Sequence, residues 1–315
     1  MDKIVVRQHP IGLLFGGMLI AVALLFLSLA VAGLNGDGVE LNGKLTRDVG
    51  DVAPVLGMLV ALIPLGAGMA ASARNSRVEM TAEGVAAFDW LSRPLLTAHW
   101  SEVLTVSAND DVKRHWAVAV EGKRVLLPSN LSPPENLILG FARWARPGSL
   151  GKPSTPHARP AKERIHRFRD DRLHLPMFFC LAWNGALLLT AVVVATARNA
   201  LGALVFLPVL MGFGGVGAYM WVGTWAMYLR ASLEVTTEGL AFRNASGKCQ
   251  RMTWDDVRCV AEFRMDNMSY NKPHLVIATS EIGICIPADL SNYDEARAAI
   301  LDALPPDARV LLPDS

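Results

Sequence analysis

Four stretches of this chain carry no ionisable side chain over a length that can cross a bilayer. They are residues 11–34, 52–73, 176–197 and 201–229. A helix needs about 20 apolar residues to cross a hydrocarbon core about 30 Å thick. Within that core the backbone has no water to bond, so each run must close its own hydrogen bonds as a helix. The sequence therefore predicts four membrane spans. The turn ARNALG, 197–202, is so short that the third and fourth form an antiparallel hairpin. Charged residues make up 19% of the chain, below the roughly 25% of soluble domains, as lipid-facing segments require. A short basic start precedes the first run, as in a secretory leader. The run is longer than a leader's apolar region and a second follows closely, so it reads as retained.

Lys and Arg fix the expected orientation. Lys3 and Arg7 precede the first run and Arg74 and Arg77 follow the second. Arg159, Lys162, Arg164, Arg167, Arg169 and Arg172 crowd before the third. The opposite side has Arg198, and Lys44 and Arg47 among the acids Asp37, Glu40, Asp48 and Asp51. Both termini and both polar regions are thus expected in the cytoplasm.

The chain also repeats itself. VEMTAEGVAAFDWLSRPLLTAHWSEVLTVS follows the second run, and LEVTTEGLAFRNASGKCQRMTWDDVRCVAE follows the fourth. Thr81, Glu83 and Gly84 answer Thr236, Glu238 and Gly239; Trp100, Glu102 and Val103 answer Trp254, Asp256 and Val257. VLLPSNL around Pro128 answers ICIPADL around Pro287, and the spacing holds except for an insertion near Asn267–Lys272. Within each copy, short alternating runs such as Val78–Thr81, Ala117–Val120 and Val125–Leu127 are separated by turn residues, the pattern of antiparallel strands. A helix closes each copy. Pro133-Pro134-Glu135 opens the first, and Ser291 is the expected N-cap of YDEARAAILDAL, with Asp294 and Glu295 in its first turn.

A membrane hairpin leading into T-x-E-G-[LV], W-[SD]-[DE]-V, a strand ending in Pro and a helix resembles the bacterial pleckstrin-homology-like membrane proteins, in particular the YcxB-like group. The resemblance covers both halves and implies a membrane α plus β fold, each transmembrane helical hairpin followed by a PH-like curled antiparallel sheet with a C-terminal helix. It implies residence in the bacterial inner membrane and carries no catalytic residues. The expected divisions are hairpin 1 at 1–76, a PH-like domain at 77–146, a basic linker at 147–175, hairpin 2 at 176–230 and a second PH-like domain at 231–315.

Several patterns invite a chemical reading and lose it on inspection. Trp100 and Trp254 could form a ligand platform, but a large indole in a small sheet reads as core. GFGGVG, 212–217, matches a dinucleotide fingerprint without the strand that motif needs; it lies inside an apolar helix. There small residues permit close packing, as Gly12 and Gly16 do in the first run. GSLGKPST, 148–155, has Arg146 and Pro153 where a phosphate loop needs glycine and a hydroxyl. The spans hold no charge, and the most polar groups at depth are Asn184, Ser28, Thr190 and Thr224, which argues against independent transport. Asp110-Asp111 and Asp255-Asp256 read as solvated surface. Cys180, Cys249, Cys259 and Cys285 are dispersed, with no CxxC spacing, and read as plain thiols in a reducing cytosol. No cofactor, metal or nucleic acid is expected.

The remaining feature is electrostatic. Residues 146–175 hold eight Lys and Arg against three acids, net +5, whereas 77–145 is net −1 and 230–315 net −4. The proline-rich first part reads as extended, and AKERIHRFRDDRLHL has helical potential and lies on the inner leaflet. The linker residues Arg159, Lys162, Arg164, Arg167, Arg169 and Arg172 are the expected contacts to anionic lipid, beside their role in topology. The functional expectation is a non-enzymatic membrane protein whose cytoplasmic domains bind a protein or lipid partner as scaffold or regulator. The alternative is an accessory subunit of a transporter or envelope enzyme.

Overall fold

The computed structural model describes residues 3–8, 10–36, 38–41, 44–108, 116–127, 131–154, 164–167, 185, 230–244, 246–264, 273–288 and 290–312. The expected third and fourth spans, with Asn184 and the GFGGVG stretch, lie outside them apart from Gly185. The chain divides into two compact units, one containing Pro10–Arg74 and the other the larger sheets and the shorter helices.

In the helical unit, α1 (Ile11–Asn35) and α2 (Val49–Asn75) are joined through the small hairpin β2 (Val39–Leu41) and β3 (Lys44–Thr46). The carboxylate of Asp48 accepts from the Gly50 N–H at 2.8 Å, satisfying a donor that the first turn of α2 leaves open. Small residues let the two helices approach. A Cβ on Gly66 would lie 2.6 Å from the Gly16 carbonyl, and one on Gly12 would lie 3.2 Å from the Ala73 Cβ. The expected packing role of Gly12 and Gly16 is therefore met. Leu13, Leu14, Leu24 and Val31 of α1 and Val55, Met58, Val60 and Leu65 of α2 are exposed. By length and composition both helices can cross a membrane.

The β-rich unit begins before the first helix. β1 (Ile4–Gln8) pairs antiparallel with β4 (Arg77–Met80), Val6 facing Val78, so the helical hairpin is inserted between two neighbouring strands. The sheet continues through β5 (Gly84–Phe88) and β6 (Pro94–His99), and β10 (Leu131–Ser132) pairs with the other edge of β1. β7 (Val103–Ala108), β8 (Trp116–Val120) and β9 (Lys123–Leu126) form a second, antiparallel sheet. α3 (Pro134–Trp144) follows, opened by the expected prolines. The boundary expected at residue 77 is corrected: this sheet needs Ile4–Gln8, whose buried Val6 supplies core.

The second half runs in the same order. β12 (Arg164–Arg167), β13 (Ser232–Val235), β14 (Gly239–Arg243) and β15 (Cys249–Thr253) form one sheet. β16 (Cys259–Arg264), β17 (Pro273–Ala278) and β18 (Gly283–Pro287) form the other, before α4 (Tyr293–Ala303). That sheet is extended by β19 (Arg309–Leu311), parallel to β16, and by β11 (Lys152–Pro153). Two expectations are corrected. Arg164–Arg167 is a strand with His166 buried against Leu233's neighbourhood, because the edge of β13 offers backbone bonds that outweigh a modest helical propensity. Ser291 does not cap α4: the N-cap is Asn292 in a left-handed conformation, without a side-chain cap bond. Ser291 instead donates its N–H to Arg167 O at 2.7 Å and accepts the Arg167 N–H on Oγ at 3.3 Å, completing the β12 edge.

The T-x-E-G and Trp motifs have one physical explanation in both halves. Thr81 N–H donates to Gly84 O and Thr236 N–H to Gly239 O, closing tight turns at 3.0 and 2.9 Å. A Cβ on Gly84 would collide with the Ala98 carbonyl, and one on Gly239 with the Met252 carbonyl, so only glycine fits. The Trp100 indole N–H donates to Thr81 O at 2.7 Å and that of Trp254 to Thr236 O at 3.0 Å, and both rings are buried. The indoles are core, as expected, and each ties a turn to the sheet below it.

Candidate functional site

The place where the two halves meet is built on α3. Its residues Leu137, Ile138, Leu139, Phe141 and Ala142 give it apolar groups on more than one side, which suits a helix covered on both. Towards its own half, Phe141 meets Trp100 edge-to-face at 6.3 Å between ring centres, and Gly140 lies so close to Met80 that a Cβ there would be 2.5 Å from its sulfur. Towards the second half it lies on β16, β17 and β18. One hydrophobic core therefore joins Leu137, Ile138 and Phe141 to Cys259, Ala261, Val276, Ala278 and Leu311. Closest approach is at Gly283, where a Cβ would sit 2.7 Å from the Glu135 carbonyl and 3.1 Å from its Cβ.

Residues after α3 tighten the same junction. Leu150 bridges to Val106, Lys152 and Pro153 pair with Val310 and Arg309, and Ser154 N–H donates to Ala308 O at 2.8 Å. The expected linker thus begins as sheet, and Gly148–Pro153 is a 3-10 turn and short strand rather than a phosphate loop.

The chemistry of the junction is muted. Desolvation raises the Glu135 carboxyl above its ordinary value, and its charge adds to the burial that pushes up the Cys285 thiol. Burial pushes the Cys259 thiol up to about 12. At neutral pH such thiols are protonated and poor nucleophiles. On the other face of β16, Glu262 accepts from Arg297 of α4 at 2.7 Å. Burial, followed by the nearby Glu262 charge, raises the Tyr293 phenol. Among the described residues, His166 Nε2 and Tyr293 Oη are buried without a hydrogen-bond partner. No group of three His, Cys, Asp or Glu among the described residues is placed to hold a metal ion.

Of the six expected lipid contacts, Arg164 and Arg167 lie on β12 with exposed side chains. Arg164 is paired with Glu295 of α4, and the backbone of Arg167 holds Ser291. Arg159, Lys162, Arg169 and Arg172 lie outside the described residues. Asp255 and Asp256 sit in a 3-10 turn, where Asp256 accepts from Thr253 Oγ1 at 2.7 Å. Sequence reasoning took Glu135 only as a helix-opening acid and Cys285 only as a plain thiol, and did not single out Gly283; the one available signal for their junction was a terminal helix too apolar to have a wet side. No family model and no curated protein matches the chain, so the functional reading rests on these residues.

Proposed function

We propose that this chain is a non-enzymatic multi-pass protein of the bacterial inner membrane, in which two duplicated PH-like units are fused into one cytoplasmic platform for a protein or lipid partner. The observation that supports the reading is the shared core around α3, which packs against both sheet systems. Duplication is supported beyond the motifs. β1 and β12 precede the apolar segments of their halves, β4 to β6 answer β13 to β15, and β7 to β9 answer β16 to β18. After each helix the chain returns parallel to the first strand of the three-stranded sheet, Leu150 at Val106 and Val310 at Val260. The exposed apolar surface of α1 and α2 supports membrane insertion, since water would not tolerate so large a patch. A non-enzymatic role is supported by the raised thiols and by acids engaged in structural ion pairs.

Crosslinking in native membranes followed by copurification tests the platform. A stoichiometric partner captured through the β-rich unit is the expected result. Capture only through the helical segments, by a transporter or enzyme, would replace this reading with that of an accessory subunit. Reporter fusions at Ser107 and Ser315 should both report the cytoplasm, and a periplasmic signal from either would overturn the orientation.

A further inference from the structure

Each half carries a five-residue turn built on the same frame. In the first, Asp89 Oδ1 accepts from the N–H groups of Leu91 and Arg93 at 2.9 and 2.8 Å, Ser92 N–H donates to Asp89 O, and Ser92 has φ 61°. In the second, Asn244 Oδ1 accepts from the Lys248 N–H at 3.0 Å, Gly247 N–H donates to Asn244 O, and Gly247 has φ 83°. The tips differ. The second has the exposed Ser246, whereas the first has Trp90 and Leu91, 48% and 44% exposed. Because the frame holds with a polar tip, folding does not explain two large apolar side chains in water at the other.

The position of the first turn supplies a reason. Asn75, the last residue of α2, donates from Nδ2 to the Trp90 carbonyl at 2.9 Å. Arg77, whose guanidinium lies 4.1 Å over the Phe88 ring, donates to Asn75 O at 3.1 Å and lies 3.5 Å from Ser92 Oγ. The Trp90 backbone is thus fixed to the residue at which the apolar helix ends, with the cation Arg93 in the same turn and Arg77, itself paired with Glu79 at 2.7 Å, beside it. Tryptophan favours the membrane–water boundary, with its ring among acyl carbonyls and its N–H wet, and cations there are drawn to an anionic leaflet. We infer that the Asp89–Arg93 turn is an interfacial anchor, inserting Trp90 and Leu91 into the headgroup layer of a phospholipid bilayer, and that the Asn244–Lys248 turn is not. The inference rests on the reading of α1 and α2 as membrane spans.

The test uses the full chain in vesicles of zwitterionic and anionic phospholipid, with and without lipids brominated high on the acyl chain, which quench nearby tryptophan. The chain has eight tryptophans, so the emission of Trp90 is taken as wild type minus Trp90→Phe. Loss of that difference in brominated vesicles, with no added loss for tryptophan placed at the other tip by Ser246→Trp, is the expected result. Equal emission with and without bromine would overturn the anchor, as would equal quenching at Ser246→Trp. A difference spectrum shifted to the blue yet unquenched would place Trp90 against protein and also overturn it. Leu24→Trp in α1, probed with lipids brominated deep in the chain, separates the two readings. Quenching there with none at Trp90 defeats the anchor alone, and no quenching at Leu24→Trp defeats the membrane reading and the anchor together.

Discussion

The outer faces of the two three-stranded sheets make an instructive pair. Matching the ladders by Val118 opposite Val125 and Ile277 opposite Ile284 sets Thr105, Ser107, Ala117, Ala119, Arg124 and Leu126 against Cys259, Ala261, Val276, Ala278, Gly283 and Cys285. The second set is small and apolar, flat enough for α3 to lie on, with glycine where the helix backbone comes closest. The first set places Arg124 at the glycine's position, and that sheet leaves Leu104 and Leu126 55% and 46% exposed. The helices differ in the complementary sense. Where α3 has Ile138, Leu139 and Ala142, α4 has Arg297, Ala298 and Leu301 at the corresponding steps. An apolar helix meets a flat sheet once, and a charged helix ends the stack, the same logic by which repeat arrays need polar terminal faces. The two three-stranded sheets thus differ in which of them can take a helix on its outer face.

The largest expected effects ask whether the frames are equal. Trp254→Ala should cost about 3–5 kcal/mol, because it empties a core site and strands the Thr236 carbonyl, and Trp100→Ala should cost a similar amount. Urea unfolding in detergent, followed by far-UV circular dichroism, reads both. A near-neutral Trp100→Ala would show that only the second indole is structural and would break the equivalence.

Intermediate effects sharpen the contrast between the covered and the uncovered face. Gly283→Val forces the Glu135 backbone away from β18 and should cost about 1–3 kcal/mol, as overpacking does. Leu126→Gln on the other sheet should change stability by less than about 0.5 kcal/mol. If both were neutral by the same measurement, α3 would not be the joint between the halves.

The smallest effects are in pH. Burial raises the Glu135 carboxyl in the folded chain, so the neutral acid is favoured there. The junction should be most stable below the ordinary carboxyl value of 4.5 and lose stability as pH rises through the folded value. Glu135→Gln should remove that slope from a thermal unfolding series. Glu79 has the opposite sign: hydrogen bonds from Arg77 and then Lys3 lower its carboxyl, so its contribution is present above 4.5 and fades as pH falls through the folded value. Glu79→Gln should cost about 1 kcal/mol at neutral pH, as a partly solvated ion pair at a sheet surface does.

What the sequence by itself determined is local. An uncharged apolar run becomes a long helix because lipid or packing must take its whole surface, whether or not a neighbour is known. The turns at Thr81–Gly84 and Thr236–Gly239 were legible because glycine, threonine hydroxyl and indole act within about 20 residues of one another, and α3 was legible from Pro133-Pro134-Glu135. Tertiary structure decided what depends on distant partners. Ile4–Gln8 and Arg164–Arg167 are strands because β4 and β13, each beyond an apolar segment, offer edges to them; a short strand leaves its backbone bonds open until such an edge arrives. The same holds for the second side of α3, whose apolar residues told that a cover was needed, while only the fold decided that β16, β17 and β18 supply it.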